Sequence, residues 1–440
     1  MFRLHRKKIK KEEAKLIGIF LRELSEEYSQ WEDFNEDYIV DKCLEYIRTR
    51  NLVFLGENIT LLTEVGELNE AEKLLADYKK VLKETSGWIN PFDPFEVSEI
   101  MMQEDDIVFQ YPGALGDLIG PLLRGYFMAV LAPIKRGKTF WLIDLAMLAI
   151  MEHKKVVMFS FEMDKNRMGK RFYKNLGSIS DYGGEILYPC FDCISNQDGT
   201  CEKTERENNI KLIEDCNCVD ECECELPDFK EVPNYKICNY CKDNNLSDYI
   251  PSTWWQSIKR PSFNLSNVRD FIKPISKFYG NNFRFKAYPR FSAGMTEIEN
   301  DLDILEYTEG FIPDIIITDM VDVMKKGGGE FRHEVDELWM HHARLASERH
   351  CLVVTATQAK AKSWRAKGVR ADDSSENYRN PAHIDVMISL NQKSEEKERG
   401  RMRIGVVAHR DRDFNEDKWV TVLQQLNVGK PFLDSIKGEV

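Results

Sequence analysis

No stretch of about 18 consecutive apolar residues occurs in the 440-residue chain, which argues against a membrane-spanning helix. The N-terminal MFRLHRKKIKKEEAK is basic, but no apolar core follows it, so no secretory leader is expected and a cytoplasmic protein is the default. There is no internal repeat and no long low-complexity tract, so a packed globular chain is expected. Cysteine is scarce outside one segment. Of eleven, nine lie between Cys190 and Cys241, and such clustering in a cytosolic chain favours metal binding over a disulfide framework. Nor is there a surplus of positive charge to announce a nucleic-acid binder. The net charge of −13 is uneven, however: residues 190–250 carry 15 acidic against 6 basic side chains, which accounts for −9 of it. An acidic insertion therefore masks a nearly balanced body, and local patches matter more than the total.

The length exceeds one average domain, so two domains plus an insertion are expected. Residues 1–88 read as a helical N-terminal domain, with EEAKLIGIFLRELSEEY and NEAEKLLADYKKVLKE placing apolar residues at three- and four-residue spacing. Residues 89–111 read as a linker, entered through the proline- and glycine-containing SGWINPFDPFEV. From 112 to 440 strands and helices alternate, interrupted by a cysteine-rich insertion at 188–250. GYFMAVLA, KVVMFSFEM, PDIIITDMVDVM, CLVVTATQ, DVMISLNQ and MRIGVVAHR are strand candidates, and NNFRFKAYP is a weaker one. KTFWLIDLAMLAIMEHKK and HEVDELWMHHARLASERH are helices. Near-continuous apolar strands separated by helices imply an α/β fold, a mostly parallel sheet with helices on both faces.

One glycine is missing where it would be most informative. The stretch APIKRGKT ends in Gly137-Lys138-Thr139, but the leading glycine of a phosphate-binding loop is replaced by Ala132. The context is that of a nucleotide site: an apolar strand feeds a loop, and the loop opens a helix whose first N–H groups and dipole favour an anion. The segment Ala132, Pro133, Lys135, Arg136, Gly137, Lys138 and Thr139 is thus the candidate ATP site. Lys138 is placed for the β- and γ-phosphates and the Thr139 hydroxyl for Mg²⁺. Ala132 is tolerable if its φ is negative. Three later strand ends support the assignment. Glu162, at the tip of VVMFSFEM, can polarise an attacking water. Asp319 closes DIIITD and can hold Mg²⁺. Gln358 closes LVVTATQ and can sense the γ-phosphate by hydrogen bonding.

Directly after Gln358, KAKSWRAKGVR holds Lys360, Lys362, Arg365, Lys367 and Arg370 with no acid, and Trp364 among them. Basic side chains neutralise phosphates without regard to sequence, and an aromatic can stack on a base, so this loop is the candidate contact to single-stranded DNA. KKGGGEFRH follows the Asp319 strand and suits a segment that moves with nucleotide state. In the insertion, Cys190 and Cys193 form one CxxC, Cys238 and Cys241 another, with Cys201 between them. This spacing points to Zn²⁺ held by Cys193, Cys201, Cys238 and Cys241, or with Cys190 in place of Cys201. Cys216, Cys218, Cys222 and Cys224 either hold a second metal or none.

The segments GPLLRGYFMAVLAPIKRGKT, SFEM, IIITDMVDVM, TATQAKAKSWR, HIDVMISL and VVAHRDRDF together resemble the DnaB-type replicative helicases, within the RecA-like ATPases. The resemblance spans roughly 112–433 apart from the insertion, which is foreign to the core family. It implies a RecA-like core and the catalytic-base role for Glu162. It also implies that HRDRD supplies Arg410 and Arg412, which act on the γ-phosphate of a neighbouring subunit. A ring, by expectation a hexamer, on single-stranded DNA follows from it, as do replication partners such as primase and a bacterial host cytoplasm for a phage-encoded version. The same core also serves RecA-like recombinases and regulatory ATPases that do not unwind, and a non-hydrolysing ATP-gated loader or scaffold remains open.

Overall fold

The computed structural model describes residues 36–68, 70, 71, 92, 101, 105–206, 210–212, 227, 232–325, 331–360, 369, 370, 383–438 and 440. The chain divides into two compact units, 1–103 and 104–440. In the first, a 30-residue helix, α1, runs Glu36–Val65. The first N-terminal helical segment, all of the second but Glu70 and Ala71, and most of the linker read from the sequence lie outside the described residues.

The second unit is built on a nine-stranded sheet. A short antiparallel pair, β1 (Ile107–Phe109) and β2 (Leu122–Leu123), flanks helix α2 (Gly113–Ile119). Then come β3 (Phe127–Ala132), α3 (Lys138–Met151), β4 (Val156–Ser160) and α4 (Lys165–Gly177). The insertion follows: β5 (Gly184–Cys193), the single turns α5 (Ile194–Gln197) and α6 (Tyr240–Asp243), and β6 (Pro251–Arg260). The sheet resumes through α7 (Leu265–Tyr279), β7 (Phe283–Ala287), α8 (Met295–Glu309), β8 (Ile315–Asp319), α9 (Phe331–Arg349) and β9 (Leu352–Gln358). It ends with β10 (Val386–Asn391), α10 (Ser394–Glu398), β11 (Arg401–His409), β12 (Trp419–Gln425) and β13 (Lys430–Lys437).

The strand order is β13-β12-β11-β10-β3-β9-β8-β4-β7. From β10 to β7 every pairing is parallel, while β10 to β13 pair antiparallel. The fold is therefore α/β with a mostly parallel sheet, as the strand pattern predicts. Alternation along β3 explains the layering. Met128, Val130 and Ala132 join one apolar core with Trp141, Leu142 and Leu145 of α3. Phe127, Ala129 and Leu131 join another with Val335, Leu338 and Trp339 of α9. Both faces of β3 are buried, which is why it reads as an unbroken apolar run. The insertion forms a separate two-stranded sheet, a ten-pair antiparallel hairpin from Gly184↔Arg260 to Cys193↔Pro251 that is tied to β12 through Gln425 Nε2 donating to Leu187 O, reaching beyond the expected 188–250 at both ends.

Candidate nucleotide site

The register of the sheet gathers the chemistry at one edge. Ala132 of β3 lies opposite Gln358 of β9, and Ser160 of β4 lies opposite Asp319 of β8. All four therefore end at the same, C-terminal, side of the parallel strands, where ligands bind in open α/β sheets. Ala132 is still extended strand and is not among the positive-φ residues. The substituted glycine thus stands where no left-handed backbone is needed. The loop beyond it does need one: Lys135 has φ 63° and Gly137, the N-cap of α3, has φ 85°. Turns of this kind direct successive N–H groups into a common concavity suited to an anion. Holding Lys135 there costs on the order of 1–2 kcal/mol, whereas Gly137 adopts the same region freely.

Lys138 and Thr139 follow as the first two residues of α3, both buried. Among the described residues the Lys138 ammonium donates to two backbone carbonyls, Ala132 O at 3.2 Å and Pro133 O at 3.4 Å. Burial lowers its pKa, opposed by the charges of Asp322, Glu162 and Asp319. Thr139 Oγ1 donates to Asp319 Oδ1 at 3.3 Å. The other Asp319 oxygen, Oδ2, is buried with no hydrogen-bond partner among the described residues. Burial pushes this carboxyl up to about 6; the Thr139 hydrogen bond opposes the rise, Glu162 adds to it, and Arg171 and Lys138 oppose it. Glu162 stands two residues past β4, partly exposed, with Arg290 Nη2 at 3.4 Å from its Oε1. The set fits a magnesium nucleotide: an unpartnered buried carboxylate oxygen beside a hydroxyl, a cation on weak carbonyl partners, and a turn of N–H groups at a helix start.

Several contributors escape the sequence pattern. Arg171 lies on α4, its guanidinium 4.8 Å from the Phe140 ring centre and within the fields of Asp319 and Glu162. Asp164 caps that helix, its Oδ1 accepting from Asn166 N and Arg167 N at 3.0 Å, which fixes where the two turns leading to Arg171 begin. Arg290 reaches Glu162 from the segment after β7. Asp322 accepts from Thr357 Oγ1 at 3.0 Å and from Gln358 N at 3.0 Å, joining the ends of β8 and β9. Gln358 itself sets its amide Nε2 3.8 Å from Met320 Sδ.

No family model and no curated protein matches the sequence. Solved structures do match the fold. Over 89% of this chain and 77% of the other, at 14% identity and a TM-score of 0.54, it is similar to a DnaB-like replicative helicase whose structure was reported with its interactions with primase. A second solved structure, of an isolated ATPase domain, is similar at 13% identity over 77% of this chain and 97% of that one, with a TM-score of 0.49. The chain has a DnaB-type helicase fold.

On this DnaB-type fold the two arginines expected to act in trans are remote from their own chain's phosphate loop. Val386 of β10 pairs with Met128 near the start of β3 and with His409 at the end of β11. Arg410 and Arg412 therefore follow the opposite edge of the sheet from Lys138, about 15–20 Å away along β3. Arg410 Nη1 lies 2.6 Å from Asp385 Oδ1. The Arg412 guanidinium packs over Gly120 so closely that a Cβ there would collide with it.

Of the basic loop, Lys360 ends the described β9 exit and Arg370 pairs with Asp417 at 3.1 Å. Lys362, Trp364, Arg365 and Lys367 lie outside the described residues, as do positions 326–330 of the glycine loop and Cys216, Cys218, Cys222 and Cys224. In the insertion, Cys193, Cys201, Cys238 and Cys241 line one cavity. Cys190 is not among them; its Sγ sits 3.7 Å from Tyr188 O and 3.8 Å from Gln256 Oε1. Among the described residues no three His, Cys, Asp or Glu side chains are already drawn into a metal-holding arrangement. No described helix is long and apolar enough to cross a membrane.

Proposed function

We propose that the chain is an ATP-dependent replicative DNA helicase that assembles as a hexameric ring, translocates on single-stranded DNA and hydrolyses ATP between subunits. The observation that carries this is the meeting of Lys138, Thr139 and Asp319, with Glu162 beside them, at the C-terminal edge of a DnaB-type sheet. In this reading the 133–137 turn and the Lys138 ammonium bind the phosphates. Thr139 Oγ1 and Asp319 hold the Mg²⁺, which when bound neutralises charge developing on the transferring phosphate. Glu162 orients a water and takes its proton. Gln358, fixed through its backbone N–H to Asp322, relays phosphate occupancy to the basic loop Lys360–Arg370. Arg410 and Arg412 serve the neighbouring subunit. Primase-like replication partners and a cytoplasmic setting accompany this role.

The test is DNA-stimulated ATP hydrolysis together with unwinding of a forked duplex. Lys138→Ala and Glu162→Gln are each expected to lose at least about 10²-fold in hydrolysis, the scale of a removed general base. Unchanged hydrolysis in both overturns the reading. Hydrolysis without unwinding places the chain with RecA-like recombinases or regulatory ATPases. Ring assembly on ATP without turnover makes it a loader or scaffold.

A further inference from the structure

We propose that Cys193, Cys201, Cys238 and Cys241 form a closed four-thiolate Zn²⁺ site in the insertion, and that Cys190 has no part in it. This site stands or falls independently of helicase activity.

The fold brings together thiols that the sequence separates by up to 48 positions, from 193 to 241. Cys193 ends β5, where the hairpin closes at the Cys193↔Pro251 pair. Between these two the chain leaves the hairpin for residues 194–250. Among the described residues the apolar core beside that excursion is small: Leu212, Tyr235 and Trp254, with Ile210, Val232, Ile237 and Trp255 packed against them. A polar hub supplies part of the scaffold. The fully buried Asp192 accepts from Cys238 N at 2.9 Å and Asn196 Nδ2 at 3.0 Å through Oδ1, and from Tyr235 Oη at 2.8 Å and Gln197 Nε2 at 3.1 Å through Oδ2. The backbone of the second CxxC is thereby fastened one residue away from Cys193. Cys201 is brought in by its N–H on Ser195 O at 3.0 Å. The four cysteines then border a single cavity that Lys203 and Arg206, beside Glu205, also line, cations suited to the net negative charge of four thiolates on Zn²⁺.

The same geometry decides between the two ligand sets open from spacing alone. Cys190 and Cys193 are an odd number of positions apart on one strand, so their side chains leave opposite faces. Cys190 is occupied with Tyr188 and Gln256. The four remaining thiols surround the cavity without converging on one point. Zinc binding converts each to a thiolate, releases its proton to water and draws the sulfurs to about 2.3 Å from the metal. A closed set of four thiolates leaves no open position, so the metal's role is to fasten the excursion to the hairpin rather than to catalyse.

Metal analysis of the purified full chain tests this. Zinc is expected, and Cys201→Ser, Cys238→Ser and Cys241→Ser should each lose one equivalent relative to the parent. Cys190→Ser should keep the parental content. A variant in which Cys216, Cys218, Cys222 and Cys224 are all serine should still hold one zinc. Because a ligand variant can misfold, that quadruple variant is also exchanged with Co²⁺, and its absorption is expected to show sulfur-to-metal charge transfer with the ligand-field bands of a tetrahedral four-thiolate site. Retention of full zinc by the ligand variants, loss on Cys190→Ser, or an octahedral cobalt spectrum overturns the proposal.

Discussion

Asp319 is held ionised at a cost that a bound cation would remove. Its carboxyl is pushed up to about 6 from an ordinary 3.8, chiefly through burial. An acid whose folded pKa is raised binds more protons folded than unfolded between those two values, so stability falls as pH rises from 3.8 through 6. The penalty is absent below the lower value and complete above the higher, where it amounts to roughly 3 kcal/mol. Asp319→Asn should therefore melt several degrees above the parent at neutral pH without nucleotide, and the gap should close as the solution is acidified toward the ordinary carboxylate range. Parental affinity for Mg²⁺–ATP should weaken as pH drops through about 6, while the variant binds weakly throughout. Thermal melts and titration calorimetry across that range decide the matter, and a variant that melts below the parent at neutral pH refutes this account of the charge.

At the scale of elements, the Asp322 carboxylate ties the turn that follows β8 to the end of β9. Asp322 accepts both from the Thr357 hydroxyl and from the Gln358 N–H, and it is the largest charge acting on Lys138. Asparagine there keeps one acceptor and presents a donor to the other group, leaving a partly buried N–H or O–H unsatisfied at about 1–3 kcal/mol. Asp322→Asn is expected to speed amide exchange at Gln358 and to cut DNA stimulation of ATP hydrolysis about tenfold or more, with basal hydrolysis less affected. Equal stimulation in parent and variant would remove Asp322 from the coupling. This joint also marks the limit of what could be read in advance. The strands β3, β4, β8, β9 and β10 are legible because burial on both faces makes them continuous apolar runs. The last two strands are not, since β12 (WVTVLQQ) mixes polar residues into a buried strand and β13 (KPFLDSIK), at the sheet's edge, is only half-covered. Lys138, Thr139 and Asp319 sit in local patterns that name their chemistry. Arg171, Arg290 and Asp322 carry no such pattern, because their place in the site follows from strand register and helix packing between segments distant in the chain. The exclusion of Cys190 in favour of Cys201 likewise rests on strand facing, which CxxC spacing leaves open.

For the whole molecule, the decisive feature is the length of β3. Lys138 follows one end of that strand, and Arg410 and Arg412 stand beside its other end. No rotamer change carries a guanidinium across about 15–20 Å of sheet, so in the proposed mechanism Arg412 completes a site only on another copy of the chain. Subunit mixing makes this measurable. Glu162→Gln lacks the base but keeps the finger, and Arg412→Ala lacks the finger but keeps the base; each alone is expected to hydrolyse at least about tenfold slower than the parent. Mixed before assembly, the two should recover hydrolysis, because every interface that pairs an intact base with an intact Arg412 is complete. A double variant carrying both changes, mixed with parent at the same ratio, leaves the same fraction of interfaces intact under random assembly and so calibrates the recovery to expect. If the two single variants recover nothing on mixing while each still binds ATP and assembles, Arg412 acts within its own chain or not at all, and the interfacial site is wrong.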